Sequence, residues 1–215
     1  MRIITISREF GSGGRELGRR LAAVLGFDYY DREIIEQVAK GTNLNEKYIQ
    51  DTLDNHGWQT IPLNYGSSFM GLNTFNTNRI DILIEQKRVI EEIAKLGKDC
   101  VIVGRNADIL LQEYHPFNIF VCASTEAKVG RCIKHAKEGE NTNYKAMVKM
   151  LKRIDKHRAR TREIITDSKF GVSSSYNITV NTTNWALDEL SHSLANFIID
   201  FFNNPDANAE HKIEQ

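Results

Sequence analysis

Short apolar runs alternate with amphipathic stretches along most of this chain. Ile3–Ile6 is a β-branched run that reads as a buried strand, and glycines at 11, 13 and 14 follow at once. Leu17, Leu21, Val24 and Leu25 then recur at helical spacing until Gly26 ends the helix. Phe27–Tyr30 is a short second strand. Asp31 can cap a further helix with Ile34, Ile35 and Val38 on its inner face. Residues 42–79 break the pattern: a short helix near Asn45–Leu53 leads into a polar stretch with Trp58, Tyr65, Phe69 and Phe75 scattered through it. A long helix follows from about Ile80, with Leu83, Ile84, Ile90 and Ile93 expected inside and Gly97 past its end. Cys100–Val103 and Phe117–Ala123 read as strands. Helices are expected over about 125–138 and 143–166, a last strand over Tyr176–Asn181, and a helix over Ala186–Phe202 that buries Leu187, Leu190, Leu194, Phe197 and Ile198. Short apolar strands alternating with helices predict a parallel sheet covered on both faces.

A chain of 215 residues with 41% hydrophobic and 26% charged side chains fits one domain, residues 1–202, followed by a polar tail, 203–215. It leaves room for a helical and polar insert over about 42–90 and a lid over about 131–150. Lysine plus arginine equals aspartate plus glutamate at 28 each, so no global bias toward nucleic acid or a membrane exists, and any basic site must be local. Three cysteines, Cys100, Cys122 and Cys132, have no motif spacing and are expected as reduced thiols. The strand pattern begins at the first residues and no apolar run is long enough to span a bilayer, so the cytoplasm is the expected location. The histidines and cysteines show no metal-ligand spacing.

The chemistry starts between the first strand and the first helix. Ser7-Arg8-Glu9-Phe10-Gly11-Ser12-Gly13-Gly14-Arg15-Glu16 places glycines where free amides and the helix dipole together attract an anion. A chain reversal alone seldom needs three glycines and an arginine. The loop departs from the Walker A pattern: Gly14 stands at the lysine position and Glu16 is read in place of the hydroxyl, leaving Arg15 and Arg8 as the nearest cations. A carboxylate is a good hard-oxygen ligand, so Glu16 is the candidate for holding magnesium.

A second constellation lies in Lys149–Arg162, which carries seven strong cations and one acid. Val148, Leu151, Asp155 and Arg158 share one helical stripe, so an apolar face turns into a carboxylate and a guanidinium. Charges aimed at a core must be paired or meet a ligand. A structural Asp155–Arg158 or Asp155–Arg105 bridge and a ligand role are equally open.

The chain resembles the cytidylate kinase-like family, a branch of the P-loop nucleoside-monophosphate kinases. Ile3 through Gly18, Tyr30-Asp-Arg-Glu33, Val103-Gly-Arg105 and Asp155-Lys-His-Arg158 carry the likeness, which covers most of the chain outside roughly 42–90. It implies a three-layer P-loop sandwich with five parallel strands in the order 2-3-1-4-5, ATP and magnesium as cofactors, and a monophosphate acceptor. Cytidylate kinases hold the acceptor with a Gly-Arg-Asp that reads Gly104-Arg105-Asn106 here, and with an Asp and an Arg at the spacing of Asp155 and Arg158. Arg32 falls near the start of the family's acceptor site, but an arginine expected five residues later is Gln37.

The expected activity is transfer of the ATP γ-phosphoryl group to a nucleoside monophosphate or other small acceptor. Gly11, Ser12, Gly13 and Gly14 would hold the phosphates with Arg8 or Arg15, while Arg15, Arg131 and Arg153 would spread the transition-state charge. Arg32, Arg105, Asp155 and Arg158 would fix the acceptor. Nucleotides are the expected partners, with no membrane or nucleic acid, and a homo-oligomer is compatible with the pattern. The alternative is a nucleotide- or anion-binding regulator that has lost catalysis with its lysine and hydroxyl. A third reading, RNA binding through residues 149–162, would show a steep salt dependence.

Overall fold

The protein is described by a computed structural model covering residues 1–31, 79–136 and 142–204. The expected helices after Asp31 and near Asn45–Leu53, the aromatics Trp58, Tyr65, Phe69 and Phe75, the acceptor candidate Arg32 and most of the tail lie outside the described residues.

Five strands form one sheet: β1 (Ile3–Arg8), β2 (Asp28–Tyr30), β3 (Cys100–Val103), β4 (Phe117–Cys122) and β5 (Ile178–Asn181). Their order is β2-β3-β1-β4-β5 and every neighbouring pair is parallel, as expected. The register sets Ile4 beside Val101 and Phe117, and Ile6 beside Val103 and Ile119. β1 is thus the central strand, and its isoleucines are buried because both sheet faces are covered.

The helices are α1 (Gly14–Leu25), α2 (Arg79–Lys95), the short α3 (Ala107–Leu110), α4 (Thr125–Lys134), α5 (Tyr144–Ile165) and α6 (Leu187–Asn203). Gly18 lets α1 lie directly on the sheet: a Cβ there would sit 2.7 Å from Val103 Cγ2. α6 packs on α1 with Leu190, Leu194, Ala195 and Ile198. Ser124 and Asn143 cap α4 and α5 through their side-chain oxygens.

Three expected core residues face solvent: Val24 (39% exposed), Ile84 (57%) and Phe197 (51%). Ile84 lies about 120° around the helix from Ile90, so the buried stripe runs through Gln86, Ile90 and Ile93 instead. Phe197 keeps an edge contact to Phe117, ring centroids 6.1 Å apart. Ala107–Leu110 is a helix the apolar pattern did not predict; it is too short to display a period.

A second apolar cluster stands apart from the main core. Phe10, from the glycine loop, inserts between Val129 and Cys132 of α4 and Met147, Leu151 and Ile154 of α5. Among the described residues, no helix is long and apolar enough to cross a membrane.

Candidate functional site

The glycine loop leaves the carboxyl end of β1 and runs into α1, at the edge where open α/β sheets bind ligands. Gly13 caps the helix in a left-handed conformation (φ 81°), and Gly11 is also left-handed (φ 76°), which only glycine adopts at little cost. Gly14 has to be glycine for another reason, since a Cβ would meet Arg8 Cβ at 2.7 Å.

The loop's polar groups divide in two. The Glu9 amide donates to Val121 O (3.0 Å) and the Phe10 amide to Asp155 Oδ1 (2.8 Å). The buried amides of Gly11, Gly13 and Gly14 have no hydrogen-bond acceptor among the described residues. Buried N–H groups without acceptors are costly, and here they converge on a helix N-terminus, where the dipole adds partial positive charge. The Ser12 hydroxyl turns inward to Glu9 O (2.8 Å), so Ser12 offers a ligand its backbone rather than its side chain.

The cations expected around this cradle are mostly engaged elsewhere. Arg15 Nε donates to Asp31 Oδ2 at 2.6 Å, and Asp31 is almost fully buried. Arg131 latches the outer side of the loop, donating to Thr182 O (2.6 Å), Thr182 Oγ1 (3.1 Å) and, at the limit of length, Gly11 O (3.5 Å). Thr182 Oγ1 in turn donates to Ser12 O at 2.6 Å, so the chain after β5 braces the loop. Arg153 is exposed, and the helical period sets it on the face of α5 opposite Asp155 and Arg158. Glu16 Oε1 accepts from Arg20 Nε and Nη2, and Arg20 also pairs with Asp188. One carboxylate oxygen of Glu16 is thus engaged, and no cluster of three His, Cys, Asp or Glu occurs among the described residues, so protein ligands alone form no metal cage there.

Guanidinium groups gather on the other side of the loop. After β3 the backbone makes three consecutive left-handed residues, Gly104 (φ 82°), Arg105 (φ 60°) and Asn106 (φ 53°). For the two that are not glycine this costs about 1 kcal/mol each, and such strain concentrates at functional sites. Arg8 lies against this turn: a Cβ on Gly104 would fall 1.5 Å from Arg8 Nη1. The Arg8 guanidinium has no hydrogen bond or ion pair among the described residues, and Asp31, which acts on it electrostatically, is held by Arg15. Burial, followed by the charges of Arg158 and Arg105, lowers its pKa to about 9. Arg158 Nη1 donates to Arg8 O (2.9 Å) and to Asp155 Oδ1 (3.1 Å), and its guanidinium lies 5.6 Å from the Phe10 ring. The Asp155–Arg158 bridge therefore exists and is bound into the loop. Burial raises the Asp155 pKa against the opposing pull of Arg158 and the Phe10 amide.

Against known proteins, a model of the cytidylate kinase-like family matches residues 3–184. The chain belongs to that family. Among solved structures, this family member is similar to an uncharacterised protein from Eubacterium ventriosum: 25% identity over 92% of this chain and 98% of that one, TM-score 0.67. Two shikimate kinases share the fold at 14% identity. The one from Bacteroides thetaiotaomicron has a TM-score of 0.53 over 92% of this chain and 98% of its own. The one from Acinetobacter baumannii, solved with shikimate, has a TM-score of 0.50 over 93% and 94%. A search of curated proteins finds no match. The fold is that of the P-loop kinases.

Two features of this cytidylate kinase-like chain were not singled out from sequence. Lys128, nearly buried on α4, pairs with Glu9 of the loop at 2.9 Å, and 119 positions separate them. Arg162, one turn beyond Arg158 on the stripe already drawn through Leu151, Asp155 and Arg158, is fully buried against Asp108. Extending that stripe by one turn would have found it.

Proposed function

We propose that the protein is an ATP-dependent phosphotransferase whose acceptor is a small phosphorylated molecule, a nucleoside monophosphate of the cytidylate kind. One observation carries this reading: the acceptor-less amides of Gly11, Gly13 and Gly14 at the head of α1. They would take the nucleotide's phosphate oxygens, with the helix dipole behind them. Arg8, Arg105 and Arg158, at the ends of β1 and β3 and on α5, would hold the anionic group of the acceptor. Arg8 immediately precedes the loop and abuts the Gly104 turn, so it stands between the two substrates. There its charge meets the acceptor's anion, while Arg15, the other candidate to replace the missing lysine, is committed to Asp31. Phosphoryl transfer asks a protein mainly for alignment and positive charge, and both are provided by these groups. Magnesium bound with the nucleotide would add positive charge there, with Glu16 the candidate carboxylate ligand.

A second reading is favoured by a specific observation. With Gly14 at the lysine position and both Arg15 and Glu16 in ion pairs, the loop would bind a nucleotide without turning it over. A coupled assay with ATP, magnesium and a panel of nucleoside monophosphates separates the two. Turnover with at least one monophosphate is expected. ATP binding by calorimetry without turnover of any acceptor would replace the enzyme with the regulator.

A further inference from the structure

The largest fully buried side chain in the described protein is Arg162. Its Nη1 meets Asp108 Oδ2 at 2.6 Å, its Nη2 donates to Ser168 Oγ at 3.0 Å, and its guanidinium lies 5.4 Å from the Tyr176 ring. The second oxygen of Asp108 faces the Ser7 hydroxyl at 3.4 Å, a long contact. Nothing in the proposed reaction uses this pair directly. Stability is a weak reason for it, because a buried ion pair is often no better for a fold than apolar residues of the same volume.

Position offers a stronger reason. Ser7 is the residue before Arg8. Asp108 follows Arg105 by three, two residues past the left-handed turn. Arg162 is one helical turn beyond Arg158. Ser7, Asp108 and Arg162 are thus each the near neighbour, along the chain, of one of the three clustered arginines. Side chains alternate along β1, so Ser7 and the pair lie on the opposite face of the sheet from Arg8, out of reach of any ligand there.

We infer that the Arg162–Asp108 pair is a strut that ties α5, the Gly104–Asn106 turn and β1 together and so fixes the spacing of Arg158, Arg105 and Arg8. Both are positioning residues. The inference rests on the reading of those arginines as the acceptor's anion site. Three guanidinium groups repel one another, and after burial, the larger cause, the charges of Arg158 and Arg105 help to lower the Arg8 pKa. Left to themselves they would spread. A tie between the segments that carry them keeps the charge concentrated for an incoming dianion.

The test replaces the pair with apolar residues of similar size, Asp108→Leu with Arg162→Met, a change that spares the fold if the pair serves only packing. Binding of inorganic phosphate, CMP and ATP is measured by calorimetry. Arg8 is followed by its rate of modification with phenylglyoxal, a reagent for neutral guanidine. We expect an unchanged or higher Tm, ATP affinity within about twofold of the parent, and phosphate and CMP affinities lower by about tenfold or more, the scale of one charge-assisted hydrogen bond. Arg8 modification near pH 8 should slow as its pKa returns upward. Asp108→Asn, which keeps shape and removes charge, carries the same measurements should the double variant fail to fold. Arg162→Lys, which keeps the charge and loses the fork, should recover part of the acceptor affinity. A folded variant with parental phosphate affinity and parental Arg8 reactivity overturns the strut. If the parent binds neither phosphate nor CMP, the acceptor reading fails, and Arg8 reactivity alone still decides whether the pair holds the arginines together.

Discussion

The two sides of the loop bind charge in different ways. On the α1 side the attraction comes from backbone, three amides and a helix dipole, while the cations expected to assist, Arg15 and Arg131, are tied to Asp31 and Thr182. On the β3 side it comes from side chains, with Arg8, Arg105 and Arg158 crowded against a strained turn. The amides are fixed by the fold and carry no titratable proton. The arginines can be deleted or deprotonated. Changes of pH should therefore act almost wholly on the acceptor side, and so should substitution of the clustered arginines.

The largest effect is expected from Arg8→Met, which removes the guanidinium without crowding Gly104. It should lower kcat/KM for the acceptor by ~10²–10³ and leave ATP affinity nearly unchanged. Equal losses for ATP and acceptor would dissolve the contrast. Next comes pH. Arg8 binds an anion only in its charged form, and its pKa is lowered to about 9. Phosphate or CMP affinity should hold below that value and fall about tenfold per unit above it, where an ordinary arginine would stay charged until beyond pH 12. A flat profile to pH 10.5 in calorimetry would mean that Arg8 stays charged there or lies outside the site. Arg131→Ala opens the latch on Gly11 and Thr182 and should weaken ATP by about tenfold at constant acceptor KM. Smallest is Glu16→Gln. The Glu16–Arg20 pair is partly exposed, so stability should change by no more than about 0.5 kcal/mol. A shifted magnesium requirement of any turnover would support Glu16 as a metal ligand, and an unaltered one would remove it.

What could be read from the chain follows a physical divide. Strands built of β-branched runs were legible, Cys100–Val103 to the residue, because burial on both faces leaves an unbroken apolar signal. Helix interiors were less so. Ile84, Val24 and Phe197 are apolar letters at the margins of a stripe, and composition alone does not say where the stripe ends. The glycine loop announced itself because the backbone needs glycine there. Its partners did not, for Lys128 and Thr182 reach Glu9 and Ser12 across more than a hundred positions. Glu16 with Arg20 is a local exception: an i, i+4 pair on one helix is legible from spacing alone.

Phe10 leaves a practical consequence. It belongs to the glycine loop, yet its ring is part of the interior shared by α4 and α5. A chimaera that grafts those two helices from a relative, without the relative's own residue at position 10, would leave either a hole or a clash beneath its new roof. Domain exchange in this protein has to follow the packing and transplant a piece of the loop along with the helices.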